Sequence, residues 1–404
     1  MNEPLHIAML ALHSSPLGTL GSGDTGGMSV YVTELGRSLG NQGNRIDIFT
    51  RDTRSSAFNP VNISANVRLI GIDVPGTRTL VKDELYNYLP SYQCEIERFC
   101  REQRESYHCV HSNYWLSAVV GDRLKKRWGC PHLITFHTFA RSKMAARKDH
   151  REGRLRIEEE DRLLACSDGV MVATAAERDQ YDALLDSAET RVYVAPLGVD
   201  LDHFKPLPAQ PAVHGRRRLP PRILFVGRFD AMKGIDTAIT ALTHIDGSSR
   251  PELVLVGGDG RDSGSRRRLE RLVRDLQLED RVHFAGGVEH QRMPDMYRQA
   301  DMVVVPSYYE SFGLVVLEAL ATGIPVAATE TGIAAEVIVP GVNGYLSAAG
   351  DSRSLAGAIN DTLELAKRQD GMIIRRSVQN YGWPQVADSV YRAYSDALLR
   401  RRGV

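Results

Sequence analysis

The stretch Pro306–Ala328, PSYYESFGLVVLEALATGIPVAA, sets two acids, Glu310 and Glu318, eight positions apart around a Ser-Phe-Gly turn. The run before it, Asp301–Val305, is short and apolar and reads as a buried strand, while Gly313–Thr322 reads as a helix. Glu310 then falls in the strand-to-helix loop and Glu318 one or two turns into the helix. The N–H groups of Phe312, Gly313 and Leu314 point out of the helix start, where negative charge is favoured. A loop acid, bare amides and a helix acid can hold a sugar, a phosphate and a ribose respectively. Taken alone, Glu310 reads better as a helix cap and Glu318 as a solvated side chain. Glu318 asks for more, because it lies among Leu314, Val315, Val316, Leu317, Ala319 and Leu320, where a carboxylate needs partners.

Outward from this stretch, short β-rich runs alternate with helical patterns. Strands are expected at Arg222–Val226, Glu252–Val256, Val282–Phe284, Met302–Val305 and Pro325–Ala328 in the second half. In the first half they are expected at Ile7–Leu12, Arg45–Thr50, Val67–Ile72, His108–His111, His132–Phe136, Gly169–Ala173 and Val192–Ala195. Helices between them include Met28–Gly40 and Leu116–Arg127. Such alternation predicts parallel sheets covered on both faces. Pro196–Pro221, rich in Pro, Gly and basic residues, reads as a linker. The expected class is α/β, with two Rossmann-like domains facing each other across a cleft and ligands at the carboxyl ends of the strands.

The chain's 404 residues are enough for two domains, each with its own core. Lys+Arg and Asp+Glu are both 50, so no global charge points to nucleic acid. Five cysteines (94, 100, 109, 130, 166) have no metal-ligand spacing and suit a reducing compartment. The start, MNEPLHIAMLAL, carries an acid and no basic n-region, so it reads as a strand rather than a signal peptide. The longest apolar run, Phe312–Ala328, is broken by Glu318, so no membrane span is expected. A cytoplasmic enzyme is the expectation.

Four further constellations carry chemistry. In GSGDTGGMSVY (Gly21–Tyr31), Gly26 and Gly27 open a helix, and their amides can approach a phosphate with no Cβ in the way. FVGRFDAMKG (Phe225–Gly234) places Arg228 after a strand and Lys233 before a helix, a pair suited to a diphosphate leaving group or simply to solvent. Val256–Gly260, VGGDG, is too short to separate from a turn. TFHTFARSK (Thr135–Lys143) puts His137 after a strand, where it can donate to a sugar hydroxyl or a departing oxygen, with no partner visible for a nucleophilic triad. HSNYWLS (His111–Ser117), VKDEL with Lys82, and Arg156 ahead of Glu158–Glu160 carry hydroxyls and cations that, taken singly, read as core or solvated side chains.

ESFGLVVLEALATGIPVAA resembles the E-x7-E segment of the retaining GT-B glycosyltransferases of family 4, and the likeness extends over nearly the whole chain. The resemblance implies that Glu310, with Ser311, Phe312, Gly313 and Leu314, contacts the donor sugar, and that Glu318 holds the ribose. The FVGRFDAMKG run is similar to the family's V-G-R-x-x-x-x-K-G, which implies donor phosphates on Arg228 and Lys233, with Gly26 and Gly27 beside the pyrophosphate. His137 matches the family's T-x-H-T/S segment and is implied to approach the reacting sugar. HSNYWLS and Lys143 resemble the mycothiol-pathway and sucrose-phosphate branches. That likeness implies an acceptor-phosphate clamp of Lys82, Tyr114, Thr138 and Arg156, with Arg154 as the alternative arginine. Asn113 departs from the branch, which has a second His there. Thr331-Gly332 replaces the Gly-Gly expected ahead of Glu336.

The resemblance further implies domains at 1–198 plus a returning helix 385–404 (Gln385–Arg400 being the helical run), and at 199–384. It implies a nucleotide-diphosphate sugar, UDP-linked, as co-substrate with no tightly bound cofactor, no divalent metal and front-face attack on the sugar. A small phosphorylated polyol or sugar is the expected acceptor, and a homodimer is admitted by analogy. Two alternatives stay open: a lipid or glycan acceptor at a membrane surface, hinted at by the basic stretch Arg141–Arg154, and a nucleotide-sugar sensor without turnover. A sugar-nucleotide epimerase shares the fold but not the Glu310–Glu318 segment.

Overall fold

The computed structural model describes residues 3–14, 26–52, 60–185, 190–206, 220–245, 250–258, 264–401 and 403. Residues 21–25 of the glycine-rich loop, 259–260 of VGGDG and 207–219 of the expected linker lie outside them. The chain forms two compact units, one holding the described residues up to Gly198 and those from Trp383 onward, the other Val199–Gly382.

The first unit is built on eight strands: β1 (His6–Ala11), β2 (Arg45–Arg51), β3 (Val61–Ser64), β4 (Val67–Ile72), β5 (Cys109–Asn113), β6 (His132–Thr135), β7 (Gly169–Val172) and β8 (Arg191–Val194). Their order is β3-β4-β2-β1-β5-β6-β7-β8, parallel throughout except for the edge strand β3, which runs antiparallel to β4. β1, β5, β6 and β7 are buried along their whole length, as expected of parallel strands covered on both faces. The core gathers Leu10, Phe49, Ile70, Tyr92, Val110, Leu116, Ile134 and Phe139 among others. The last helix, Trp383–Arg401, lies against the helix Gly27–Asn41 and buries Val386, Val390 and Tyr394. Tyr391 Oη donates to the Glu3 carbonyl at 2.7 Å and Arg400 to the Asp168 carbonyl at 2.6 Å, tying that helix to the segments that lead into β1 and β7.

The second unit carries β9 (Arg222–Val226), β10 (Glu252–Val256), β11 (Val282–Gly286), β12 (Met302–Val305), β13 (Val326–Thr329) and β14 (Gly344–Ser347). These strands form one parallel sheet in the order β11-β10-β9-β12-β13-β14. Its core is formed by Ile223, Phe225, Ile239, Leu253, Leu255, Met302, Val304 and Ile359 with their neighbours. The strands read from sequence are present with ends displaced by a residue or two. β5 runs on to Asn113, so His111 and Asn113 are fully buried strand residues. Two edge strands were not anticipated. β3 is mostly exposed and β14 half-buried, so neither shows the apolar run that marks the central strands.

In each sheet the order reverses once, at β1/β5 and at β9/β12. The crevice outside the carboxyl ends of such a pair is where open α/β sheets bind ligands. Among the described residues, no helix is long and apolar enough to cross a membrane.

Candidate functional site

In the second unit the loop after β12 meets the loop after β9. Tyr308 N–H donates to the Met232 carbonyl at 2.8 Å. Gly234 (φ 62°) passes so close to this loop that a Cβ on it would lie 2.0 Å from the Pro306 carbonyl oxygen. The Lys-Gly step is therefore the point where the two loops touch, and it delivers Lys233 to Glu310. Lys233 Nζ is 2.5 Å from Glu310 Oε1, and buried Ser307 donates to the same oxygen at 2.9 Å. The expected phosphate cation and sugar acid thus form one ion pair. Arg228 is half exposed, with the Asp230 carboxylate 3.8 Å away, and is not drawn into that pair.

Gly313 caps the helix Leu314–Ala321, one residue shorter at each end than expected, and leaves Phe312 buried and Leu314 in the first turn. Glu318 is 7% exposed and has the partners its setting demanded: Tyr297 Oη donates at 2.6 Å and His290 Nε2 lies at 2.9 Å. Burial and the Glu318 carboxylate together push the Tyr297 phenol far up, so it stays a donor. Neither Tyr297 nor His290 was picked from the sequence. Both come from the β11–β12 connection, and only the need of Glu318 for partners points to them. Gly332 (φ 52°) packs on the same loop, and the Ile333 N–H donates to the Phe312 carbonyl at 2.7 Å. Gly332 thus packs against the Glu310 turn, while Glu336 lies exposed on the short helix Ala334–Val337.

In the first unit the cluster is built on the loops after β1, β5 and β6. Arg156, on the helix Arg154–Cys166, is 8% exposed. Its Nη2 donates to the Thr138 carbonyl at 2.8 Å and hydroxyl at 3.0 Å, its Nε to Glu160 at 2.7 Å and its Nη1 to Glu152 at 3.0 Å. Its guanidinium carbon lies 5.1 Å from the Tyr114 ring centre. Lys143 and His150 also reach Glu152. Burial works against the Glu152 charge, but His150, Lys143 and Arg156 outweigh it and bring its pKa down to about 2. Lys82 begins a 3-10 turn, preceded by a loop that Arg51 holds through the Thr77 and Leu80 carbonyls. Burial raises the Tyr114 phenol, against the opposing charges of Arg156 and Lys82.

Thus Tyr114, Thr138 and Arg156 are in contact, Lys82 bears on Tyr114 electrostatically, and Lys143 joins through Glu152. Arg154 points out to solvent and pairs with Glu158.

His13 belongs to this cluster and was missed. It follows β1, its ring lies 4.2 Å from that of Tyr114, and its buried Nδ1 has no partner among the described residues. Burial, then the charges of Lys82, Arg51 and Arg156, hold its pKa at about 3. The carboxyl-end rule applied to β1 would have found it. His137, at φ 60°, lies edge-on to Tyr31 at 5.0 Å, and burial with the nearby His13 holds its pKa at about 3. Gly26 is the N-cap of the helix Gly27–Asn41, and a Cβ there would meet no described atom within 4 Å.

The one grouping with metal-ligand chemistry among the described residues is His6, Asp47 and Glu105, at the amino ends of the strands. Arg68 fills it, donating to both Asp47 oxygens at 2.7 and 2.6 Å and to Glu105 at 2.8 Å, so it is an ion-pair network.

Residues 208–376 match the family described as glycosyl transferases group 1, and residues 26–198 match the glycosyl transferase 4-like domain. The D-inositol 3-phosphate glycosyltransferase of Xylanimonas cellulosilytica is 36% identical over 98% of this chain and 97% of its own. The chain belongs to the GT-B glycosyltransferases. The corresponding Streptomyces griseus enzyme is 34% identical over 99% of this chain and 90% of its own. Among solved structures, sucrose-phosphate synthase from Thermosynechococcus elongatus superposes with a TM-score of 0.86 at 31% identity, covering 98% of this chain and 100% of that one. Anabaena HepE, solved with UDP and glucose, shares the fold with a TM-score of 0.71 at 20% identity, over 97% of this chain and 100% of that one.

Proposed function

We propose that this glycosyltransferase is a retaining, family 4 enzyme that moves a sugar from a UDP-sugar to a small phosphorylated polyol or sugar. The observation that carries this reading is the cluster of Arg156, Thr138, Tyr114 and Lys82, in which two cations and two hydroxyls converge at the carboxyl end of the first sheet. A phosphomonoester suits that donor set, with the planar guanidinium and the ammonium each offering charged donors. Relatives named for D-inositol 3-phosphate support the same acceptor class.

In this reading the second unit holds the donor. Glu318, fixed by Tyr297 and His290, takes the ribose hydroxyls. Glu310 and its helix-start amides take the sugar, and Arg228 and Lys233 take the diphosphate. As the sugar's C1–O bond breaks, negative charge grows on the leaving phosphate. The two cations stabilise it without a divalent metal. The acceptor hydroxyl attacks from the side the phosphate leaves and passes its proton to that phosphate, so no protein nucleophile takes part. Lys233 is exchanged from Glu310 to phosphate when the donor arrives, which frees the carboxylate for sugar hydroxyls.

The basic stretch Arg141–Arg154 weighs against a membrane-surface acceptor, because Arg141, Lys143, Arg147 and Arg154 are paired with Asp161, Glu152, Asp149 and Glu158. The test is nucleotide release from a panel of nucleotide sugars, each with and without inositol phosphate, fructose phosphate and other sugar phosphates. Stimulation by one phosphorylated acceptor supports the reading. Slow donor hydrolysis that no phosphorylated acceptor stimulates overturns it.

A further inference from the structure

We infer that Asn113, at the end of β5, fixes His137 as the tautomer with its proton on Nε2 and its lone pair on Nδ1. Asn113 is fully buried at the end of β5. Its Nδ2 lies 3.3 Å from the Leu10 carbonyl oxygen, an atom that only accepts hydrogen bonds. The amide nitrogen must therefore face Leu10, and the amide oxygen must face the imidazole. His137 Nε2 is 2.9 Å from that oxygen, which also only accepts, so Nε2 carries the proton. A neutral ring has one proton to place, and burial keeps this ring neutral with a pKa near 3. The left-handed φ of 60° is uncommon for a residue with a side chain, and the Asn113 hydrogen bond helps to hold the ring there.

The consequence is chemical. With its one N–H given to Asn113, the neutral His137 ring has no proton left to donate, so in this tautomer it offers an acceptor at Nδ1 rather than the expected donor. It recognises a hydroxyl group, and it repels a carboxylate or carbonyl oxygen at the same place. Asn113 is thus a positioning residue, and the proposed sugar contact of His137 rests on the transferase reading above. The tautomer itself does not.

The decisive measurement is nitrogen NMR of the whole chain with isotope-labelled histidine, using His137→Gln to assign the signal. The expected spectrum shows the one-bond proton coupling on Nε2 of His137 and no proton on Nδ1, unchanged down to pH 5. Asn113→Asp retains the Nε2 proton and raises the ring's proton affinity about ten-fold or more, because a carboxylate favours the imidazolium. His13 and His111 are the titrating neighbours to follow in the same spectra. Asn113→Leu loses the single tautomer. A proton on Nδ1 in the unsubstituted protein, which needs no variant to fold, overturns the inference, as does an unchanged tautomer in Asn113→Leu. If Nε2 carries the proton but His137→Gln transfers sugar at the unsubstituted rate, the tautomer stands and the sugar-contact reading of His137 falls.

Discussion

Replacing Arg156 with methionine separates the clamp's structural work from its proposed binding work. Arg156 and Glu160 are 8% and 1% exposed, and their side chains meet at 2.7 Å. Burial already raises the Glu160 pKa, with Arg156 and the Ala140 N–H opposing it. Without the guanidinium, Glu160 keeps only that N–H, at 2.7 Å. Breaking a buried ion pair by removing one partner costs about 3–5 kcal/mol. For a unit of about 200 residues each kcal/mol moves the melting temperature by roughly 2–4 °C, so a loss on the order of 10 °C is expected.

The pH dependence has a definite sign. A carboxyl whose folded pKa stands above its unfolded value opposes folding as pH rises through the interval between them. Arg156→Met widens that interval, so its deficit is smallest near pH 5 and grows toward pH 8. The double variant Arg156→Met/Glu160→Gln removes the buried charge and recovers most of the stability. It does not recover acceptor saturation, because only Lys82 remains of the two cations proposed for the phosphate. Thermal melts across pH and acceptor titrations of nucleotide release read both quantities. A single-variant loss under about 1 kcal/mol, flat with pH, refutes the buried-pair argument, and acceptor affinity restored in the double variant refutes the clamp.

His137 is neutral above about pH 3, so His137→Gln lowers the height of the kcat/KM profile by about 10- to 100-fold while leaving both limbs in place; a vanished limb would make it an acid or base. Tyr297→Phe removes one of the two hydrogen bonds holding Glu318 and weakens UDP binding about ten-fold by calorimetric titration, with acceptor KM untouched. An unchanged Kd would release Glu318 from the ribose role. Gly234→Ala drives a Cβ into the Pro306 carbonyl at a left-handed φ, so a transition of the second unit shifts down by about 2 kcal/mol or more and donor binding fails with it. Normal melting of that variant would show that the two loops separate freely.

The legible parts of the fold are those where an apolar run is bounded by turn chemistry. β12, the Ser-Phe-Gly turn and the helix behind it could be read because a single stretch carries strand, turn and helix in order. Glu318 was legible as an anomaly, since a carboxylate among leucines and valines needs partners. Its partners were not, because Tyr297 and His290 are brought to it by the crossover before β12 rather than by the helix itself. The same holds for His13 and Asn113. Each sits at a strand end, and its meaning depends on a ring supplied by another loop, Tyr114 for the first and His137 for the second. Local spacing does not encode such meetings.

The sheets explain why the candidate residues fall where they do. Asn113 ends β5, His13, Tyr114, His137 and Thr138 follow β1, β5 and β6, and Arg228, Lys233 and Glu310 follow β9 and β12, all at carboxyl ends beside the reversal of strand order. The other end of the first sheet supplies the contrast. Burial would raise the Asp47 carboxyl, but hydrogen bonds from His6, Arg68 and Tyr107 overcome it and hold the group well below the usual carboxylate range. A depressed carboxylate contributes stability that is present above its unfolded pKa and lost as pH falls through the folded one. That network therefore ties β1, β2 and β4 together at neutral pH, and it leaves Asp47 with no spare oxygen for a ligand. At the carboxyl end, by contrast, His13 Nδ1 is buried with no described partner, and Lys233 is paired with Glu310, the acid proposed to take the sugar. One end spends its polar groups on each other, and in the proposed reading the other keeps some for a substrate.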